Sequence, residues 1–192
     1  MGRILILYGT TEGHTARIAE SIGATLRAQG AVVDVVRASR EGPSPDHYAG
    51  IVIAASVHGG RYQTSVRQWV RAHAHAFGNK PTAFVSVCLG ILERDPEVHR
   101  ELRAIIARFL EATGWRSATT TIVAGALLYR QYGWLKRWIM KRIVAKAGGD
   151  TDTTRDYEYT DWNEVRAFAE EFAERVRASL ASEVQPQHAQ VA

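Results

Sequence analysis

Thr10, Thr11, Glu12, Gly13, His14 and Thr15 follow one another directly behind an apolar run, and three hydroxyls at that spacing can donate to a single group of phosphate oxygens. A helix starting at this point would add unpaired backbone N–H groups and the positive end of its dipole. Gly13 allows the chain to approach a ligand closely. The loop is not a dinucleotide fingerprint, since GxGxxG is absent, and not a P-loop, since no Gly-Lys-Ser/Thr follows. No lysine stands in the loop, so neutral donors would do the binding. The competing reading is a threonine-rich turn that only caps the helix.

Two more loops carry side chains of chemical interest. Ser56, Val57, His58, Gly59, Gly60, Arg61 and Tyr62 combine a glycine pair with an imidazole, a guanidinium and a phenol. Cys88, Leu89 and Gly90 form a small, mostly apolar wall. Cys88 is the only cysteine, which excludes an internal disulfide framework and any multi-cysteine metal site, and a reducing compartment fits best. Nothing near Cys88 in sequence would lower its pKa, so packing rather than nucleophilic chemistry is expected of it. No metal site is expected.

These loops need elements to hold them. The run RILILY at 3–8 reads as a strand buried on both faces of a parallel sheet. Further β-branched runs lie at 32–36, 51–56, 82–88 and 119–124, so five strands are expected. Between them, 14–29 carries Ile18, Ile22 and Leu26 on one helical stripe before Gly30, and 64–76 and 96–113 are helical in pattern. Alternating strands and helices imply right-handed crossovers and a doubly wound α/β sheet. Asp161 can cap a last helix, with Glu164 three residues later and a spine of Phe168, Phe172, Val176 and Leu180. One domain, 1–182, is expected, followed by a polar flexible tail at 183–192. The chain is 46% apolar and 23% charged, an ordinary globular composition. Its 192 residues suffice to bury roughly 70% of the unfolded chain's surface. No apolar run approaches the roughly 20 residues of a membrane span.

The pattern Ile6-Leu7-Tyr8-x-Thr10-x-x-Gly13-x-Thr15-x-x-x-Ala19-x-x-Ile22 resembles the flavodoxin signature in its strand-loop-helix setting. That resemblance implies a flavodoxin-like sheet of order 2-1-3-4-5, with FMN at the switch point between strands 1 and 3. The loops 56–62 and 88–90 would then flank the flavin ring. Tyr62 or His58 could stack on it, or either could pack against the third helix instead. Backbone amides at the glycines could bond its polar edge.

Flavodoxins that carry electrons are typically acidic, whereas here 24 Lys plus Arg outnumber 20 Asp plus Glu. This chain also inserts a block, about 127–159, between strand 5 and the last helix. Within it Trp134, Arg137, Trp138 and Lys141 lie in a basic, apolar, helix-like stretch of the kind that rests on a membrane surface or covers a sheet edge. Ala124-Gly125-Ala126-Leu127-x-Tyr129-x-x-Tyr132-x-Trp134, then 148–153 and Tyr159-Thr160-Asp161-Trp162, resemble the bacterial menaquinone-dependent protoporphyrinogen IX dehydrogenases. The likeness runs from Ile4 to about Ala173 and is weakest over 89–100.

What this resemblance implies is oxidation of protoporphyrinogen IX to protoporphyrin IX in heme biosynthesis, as three two-electron transfers through FMN to menaquinone or ubiquinone. His58 and Arg61 are the candidate substrate contacts or proton carriers. Arg130, Arg137 and Lys141 could meet propionates or anionic lipid. The protein would be cytoplasmic, peripheral on the inner face of the cell membrane, with no nucleic-acid partner. Association into a homo-oligomer stays open. The rivals are a general FMN-dependent quinone or nitro reductase, a flavodoxin-type electron carrier, and a membrane-surface scaffold with a vestigial phosphate loop.

Overall fold

The computed structural model describes residues 2–116, 118–128 and 152–184. The elements that bear on function begin with β1 (Arg3–Gly9), α1 (His14–Ala28), β2 (Val32–Arg37), β3 (Gly50–Ser56) and α2 (Thr64–His73). They continue with β4 (Thr82–Val87), α3 (Pro96–Thr113), β5 (Ala118–Val123), β6 (Ala126–Leu127), β7 (Tyr157–Glu158) and the C-terminal helix α4 (Trp162–Val184). Five strands form one sheet in the order β2-β1-β3-β4-β5, parallel throughout. This is the flavodoxin-like sheet expected from the sequence, and the five strands and the helices expected at 14–29, 64–76, 96–113 and after Asp161 are present.

The apolar runs are continuous because both faces of the sheet are covered. Alternate residues of β1, Ile4 and Ile6, join Val52, Ala54, Val85 and the inner sides of α1 and α4. Their neighbours Leu5 and Leu7 join Ile51, Ile53 and Phe84 under α2 and α3. Each of these Leu and Ile side chains is fully buried, worth about 2 kcal/mol apiece relative to exposure.

Local chemistry sets the helix ends. Asp95 caps α3 by accepting from the Glu97 amide at 2.8 Å, with Pro96 opening the first turn. Asp161 caps α4 by accepting from the amides of Asn163 and Glu164 at 2.8 and 3.2 Å. Helix α2 is shorter than the 64–76 pattern, its last turn tightening into a 3-10 turn at Ala74–Ala76.

The strand register lines up the ends of β1, β3, β4 and β5. Gly9 pairs with Ala55, Ser56 with Val87 and Val87 with Val123. The ladder then runs one residue further, with Val57 N–H donating to Val87 O and Cys88 N–H to Val123 O, each at 3.0 Å. The three loops singled out in the sequence therefore leave the sheet side by side at its C-terminal edge, at the switch point between β1 and β3.

One element has no counterpart in the sequence expectation. β6 and β7 pair antiparallel, Ala126 with Glu158 and Leu127 with Tyr157, joining the two ends of the inserted block. The core of that block, 129–151, lies outside the described residues, and with it Trp134, Arg137, Trp138 and Lys141. Among the described residues no helix is long and apolar enough to cross a membrane.

Candidate functional site

The chain turns from β1 into α1 through an unusual helix start. Gly13 is the N-cap, at φ 92°, and no side chain caps the helix. A side chain at that φ would be strained, whereas glycine is not. The first turn holds no acidic residue. Its leading amides have no intrahelical acceptor by the geometry of any α-helix. Thr10 Oγ1 accepts from the Gly13 amide at 2.8 Å, which folds the loop back and leaves the Thr10 hydroxyl proton free to donate elsewhere. Gly9 is required for packing, since a Cβ there would collide with Val66 of α2.

His14 supplies the most specific detail. It is 6% exposed, and its Nε2 lies 2.6 Å from Thr160 Oγ1, while that hydroxyl donates to Ala124 O at 2.7 Å. A threonine hydroxyl has one proton, already committed to the carbonyl, so Nε2 must be the donor. Nδ1 therefore carries a lone pair in the neutral ring, and it is buried with no hydrogen-bond partner. Burial pushes the imidazole pKa down, Glu158 opposes that, and the charge of Arg17 reinforces it.

Around this histidine, Arg17 donates to Glu158 at 2.5 Å, Trp162 Nε1 donates to the same carboxylate at 2.7 Å, and the Arg17 guanidinium lies 5.6 Å from the centroid of the Trp162 ring. Burial works against the Glu158 carboxylate, but the hydrogen bonds from Trp162 and Arg17, with Arg17's charge, more than offset it and hold its pKa down. The start of α1 is thus clasped to the end of the inserted block.

A cleft of ≈ 760 Å³, open mouth included, lies between the loops. From the first loop Thr10, Glu12, His14 and Thr15 line it; from the second, Ser56, Val57 and His58; from the third, Cys88, Leu89 and Gly90. Thr11 faces Gln63 instead, at a long 3.4 Å. Gln63 donates to Ser56 Oγ at 2.8 Å, Ser56 Oγ is 3.1 Å from His58 Nε2, and Glu12 lies 3.5 Å from the same nitrogen. These contacts join the first two loops.

The second loop divides its side chains. His58 and Arg61 pair across a tight turn, N–H to O at 2.9 and 3.2 Å, with Gly59 and Gly60 at φ 56° and 72° between them. His58 faces the cleft, and Arg61 and Tyr62 do not. Tyr62, expected as one of two candidates to stack on the flavin, is instead in the core. It is 8% exposed, bonded to Ser86 Oγ at 2.8 Å and edge-on to Phe84 and to Phe109 of α3. The reason is physical: packing two aromatic neighbours and satisfying the hydroxyl outweighs presenting the ring to solvent. Burial pushes its pKa up to about 12. The Cys88 thiol is likewise pushed up by burial, which suits a wall residue and not a nucleophile.

Gly125, Ala126 and Leu128 complete the cleft from beyond β5, and sequence reasoning had placed none of them there. Among the described residues no group of His, Cys, Asp and Glu could hold a metal ion. The cleft therefore offers an anion cradle of neutral donors at one end and an apolar slot between the second and third loops at the other.

Known proteins share the sequence and the fold. The flavodoxin domain family matches residues 5–154. The protoporphyrinogen IX dehydrogenase [quinone] of Escherichia coli strain K12 is 35% identical over 173 residues, 89% of this chain and 94% of its own length. A protein of the same name from Leishmania major is 31% identical, over 89% of this chain and 74% of its own. Among solved structures, oxidised flavodoxin 1 from Bacillus cereus superposes with a TM-score of 0.51 at 13% identity, covering 90% of this chain and 97% of its own, which supports the fold alone. With a flavodoxin domain over most of its length and full-length similarity to these enzymes, the chain belongs to the flavodoxin-like protoporphyrinogen IX dehydrogenase [quinone] family.

Proposed function

We propose that this chain binds FMN in the cleft between the loops after β1, β3 and β4, and uses it to oxidise protoporphyrinogen IX with a membrane quinone as acceptor. The observation that carries the proposal is the coincidence of an uncapped, glycine-started helix with a 35% identical, full-length relative of that activity.

The residues fit the cofactor. Its phosphate would take the hydroxyls of Thr10 and Thr15 and the free amides opening α1. His14 Nδ1, buried and unpartnered, would complete the cradle once protonated, because a bare lone pair facing phosphate would repel it. FMN supplies the two-electron chemistry when bound. Val57, Leu89 and Gly90 would wall the ring, and His58, held by Ser56 and Glu12, is the titratable side chain best placed to hold or pass a proton there. Arg61 would act outside this cleft. Trp134, Arg137, Trp138 and Lys141 would bring the protein to the membrane where the quinone resides; this rests on their sequence pattern alone.

The test is steady-state turnover under anaerobic conditions. FMN-loaded protein is given protoporphyrinogen IX with a menaquinone or ubiquinone analogue, and porphyrin fluorescence is followed against a protein-free control. Fluorescence that rises only with both protein and quinone is expected. Flavin reduction by NADH with no response to porphyrinogen would instead identify a general reductase.

A further inference from the structure

We propose that a second cleft, edged by Arg61, Arg67 and Arg108 over Tyr62, Ile105 and Phe109, seats the two carboxylates of the tetrapyrrole while its ring reaches the flavin cleft. This rests on the porphyrinogen reading above. The cleft encloses ≈ 840 Å³, open mouth included, between the second loop, α2 and α3. Its charge is unusual. The three cations come from three different elements, no carboxylate lines the cleft, and none of the three has an ion pair among the described residues. Arg3, Arg17 and Arg175 differ in this respect, each being paired, with Asp34, Glu158 and Glu171. Like charges gathered without partners repel one another and are stabilised by an anion that bridges them.

The cations are all arginine, whose planar fork takes carboxylates bidentately. The floor beneath them is aromatic and aliphatic. A ligand suited to both is an apolar body with more than one carboxylate, which describes a tetrapyrrole bearing two propionates. Position also favours it. His58 and Arg61 are partners across the Gly59–Gly60 turn, yet His58 lines the flavin cleft and Arg61 the arginine cleft. The turn between them is open on its outer side, since a Cβ at either glycine would meet nothing within 4 Å. A macrocycle lying across this turn would place its carboxylate edge on the guanidiniums and another edge at the flavin.

The experiment uses FMN-loaded protein, wild type, R108E and R103E. Arg103 is exposed on the same helix but outside the cleft, so its reversal makes the same change in net charge. Binding of protoporphyrin IX and of its dimethyl ester is measured by fluorescence titration, and KM and kcat are measured with protoporphyrinogen IX. R108E is expected to raise both the diacid dissociation constant and KM about tenfold, the cost of one charge-assisted hydrogen bond, with a smaller change in kcat. Ester binding should not change, and R103E should behave as wild type. Unchanged diacid binding in R108E, or an equal loss in R103E, would overturn the proposal. So would a loss in R108E confined to phosphatidylglycerol vesicles, which would make the cleft a lipid site. If the wild type binds the diacid through Arg108 but does not oxidise the porphyrinogen, the activity is wrong and the cleft stands. If turnover is robust and R108E is indifferent, the cleft is wrong and the activity stands.

Discussion

The two clefts that share the 58–61 turn are built from opposite chemistry. One offers hydroxyls, helix-start amides and apolar walls, with its single carboxylate beside His58. The other sets three guanidiniums, without an ion pair among the described residues, over an aromatic and aliphatic floor. The first suits a ligand held permanently, because its donors are fixed by backbone and buried contacts and need no ordering on binding. The second suits a ligand that comes and goes, because exposed arginines attract from a distance and release at modest cost.

The largest effect should come from Gly13. G13V places a β-branched residue at φ 92°, and FMN affinity should fall about a hundredfold, read by flavin fluorescence titration, with diacid binding to the arginine cleft retained. T15V keeps shape and removes only a hydroxyl, so FMN should bind about tenfold more weakly with little change in melting temperature. Loss of diacid binding in either variant would show that the two clefts are not separate.

His14 gives a pH test of the first cleft. Burial lowers its pKa in the folded apoprotein, so the unfolded chain binds more protons than the folded one at mildly acid pH. Its contribution to stability is therefore complete above the ordinary histidine value of about 6.5 and is lost as pH falls through the lowered folded value. The apoprotein melting temperature should drop more steeply below about pH 6.5 in wild type than in H14N. Identical pH profiles would remove the buried-imidazole assignment. The smallest effect belongs to the clasp: R17A breaks a half-exposed ion pair with Glu158, and should cost no more than about 1 kcal/mol in a denaturant titration.

The sheet was legible in the sequence because burial on both faces leaves unbroken apolar runs, and each run here is one strand. The first loop's place at the cleft was legible because its residues are contiguous. Side-chain direction was not: Tyr62 and His58 sit four residues apart, and only the tight turn at Gly59 and Gly60 decides that one enters the core and the other the cleft. Gln63, which ties Ser56 to Thr11, has no signal in sequence, since its role depends on the register of β1 against β3. The bond from His14 to Thr160 spans 146 positions, and the β6 and β7 strands that carry Thr160 to it are two residues each, too short for any periodicity.

The most direct measurement is a single turnover without quinone. FMN-loaded protein is mixed anaerobically with protoporphyrinogen IX, and the flavin's visible absorbance and the porphyrin's fluorescence are followed together. Bleaching of the flavin in step with formation of oxidised tetrapyrrole, reversed on adding a quinone, is the expected result. A flavin that stays oxidised in the presence of excess porphyrinogen would contradict the assignment and leave an FMN-binding fold with a different electron donor.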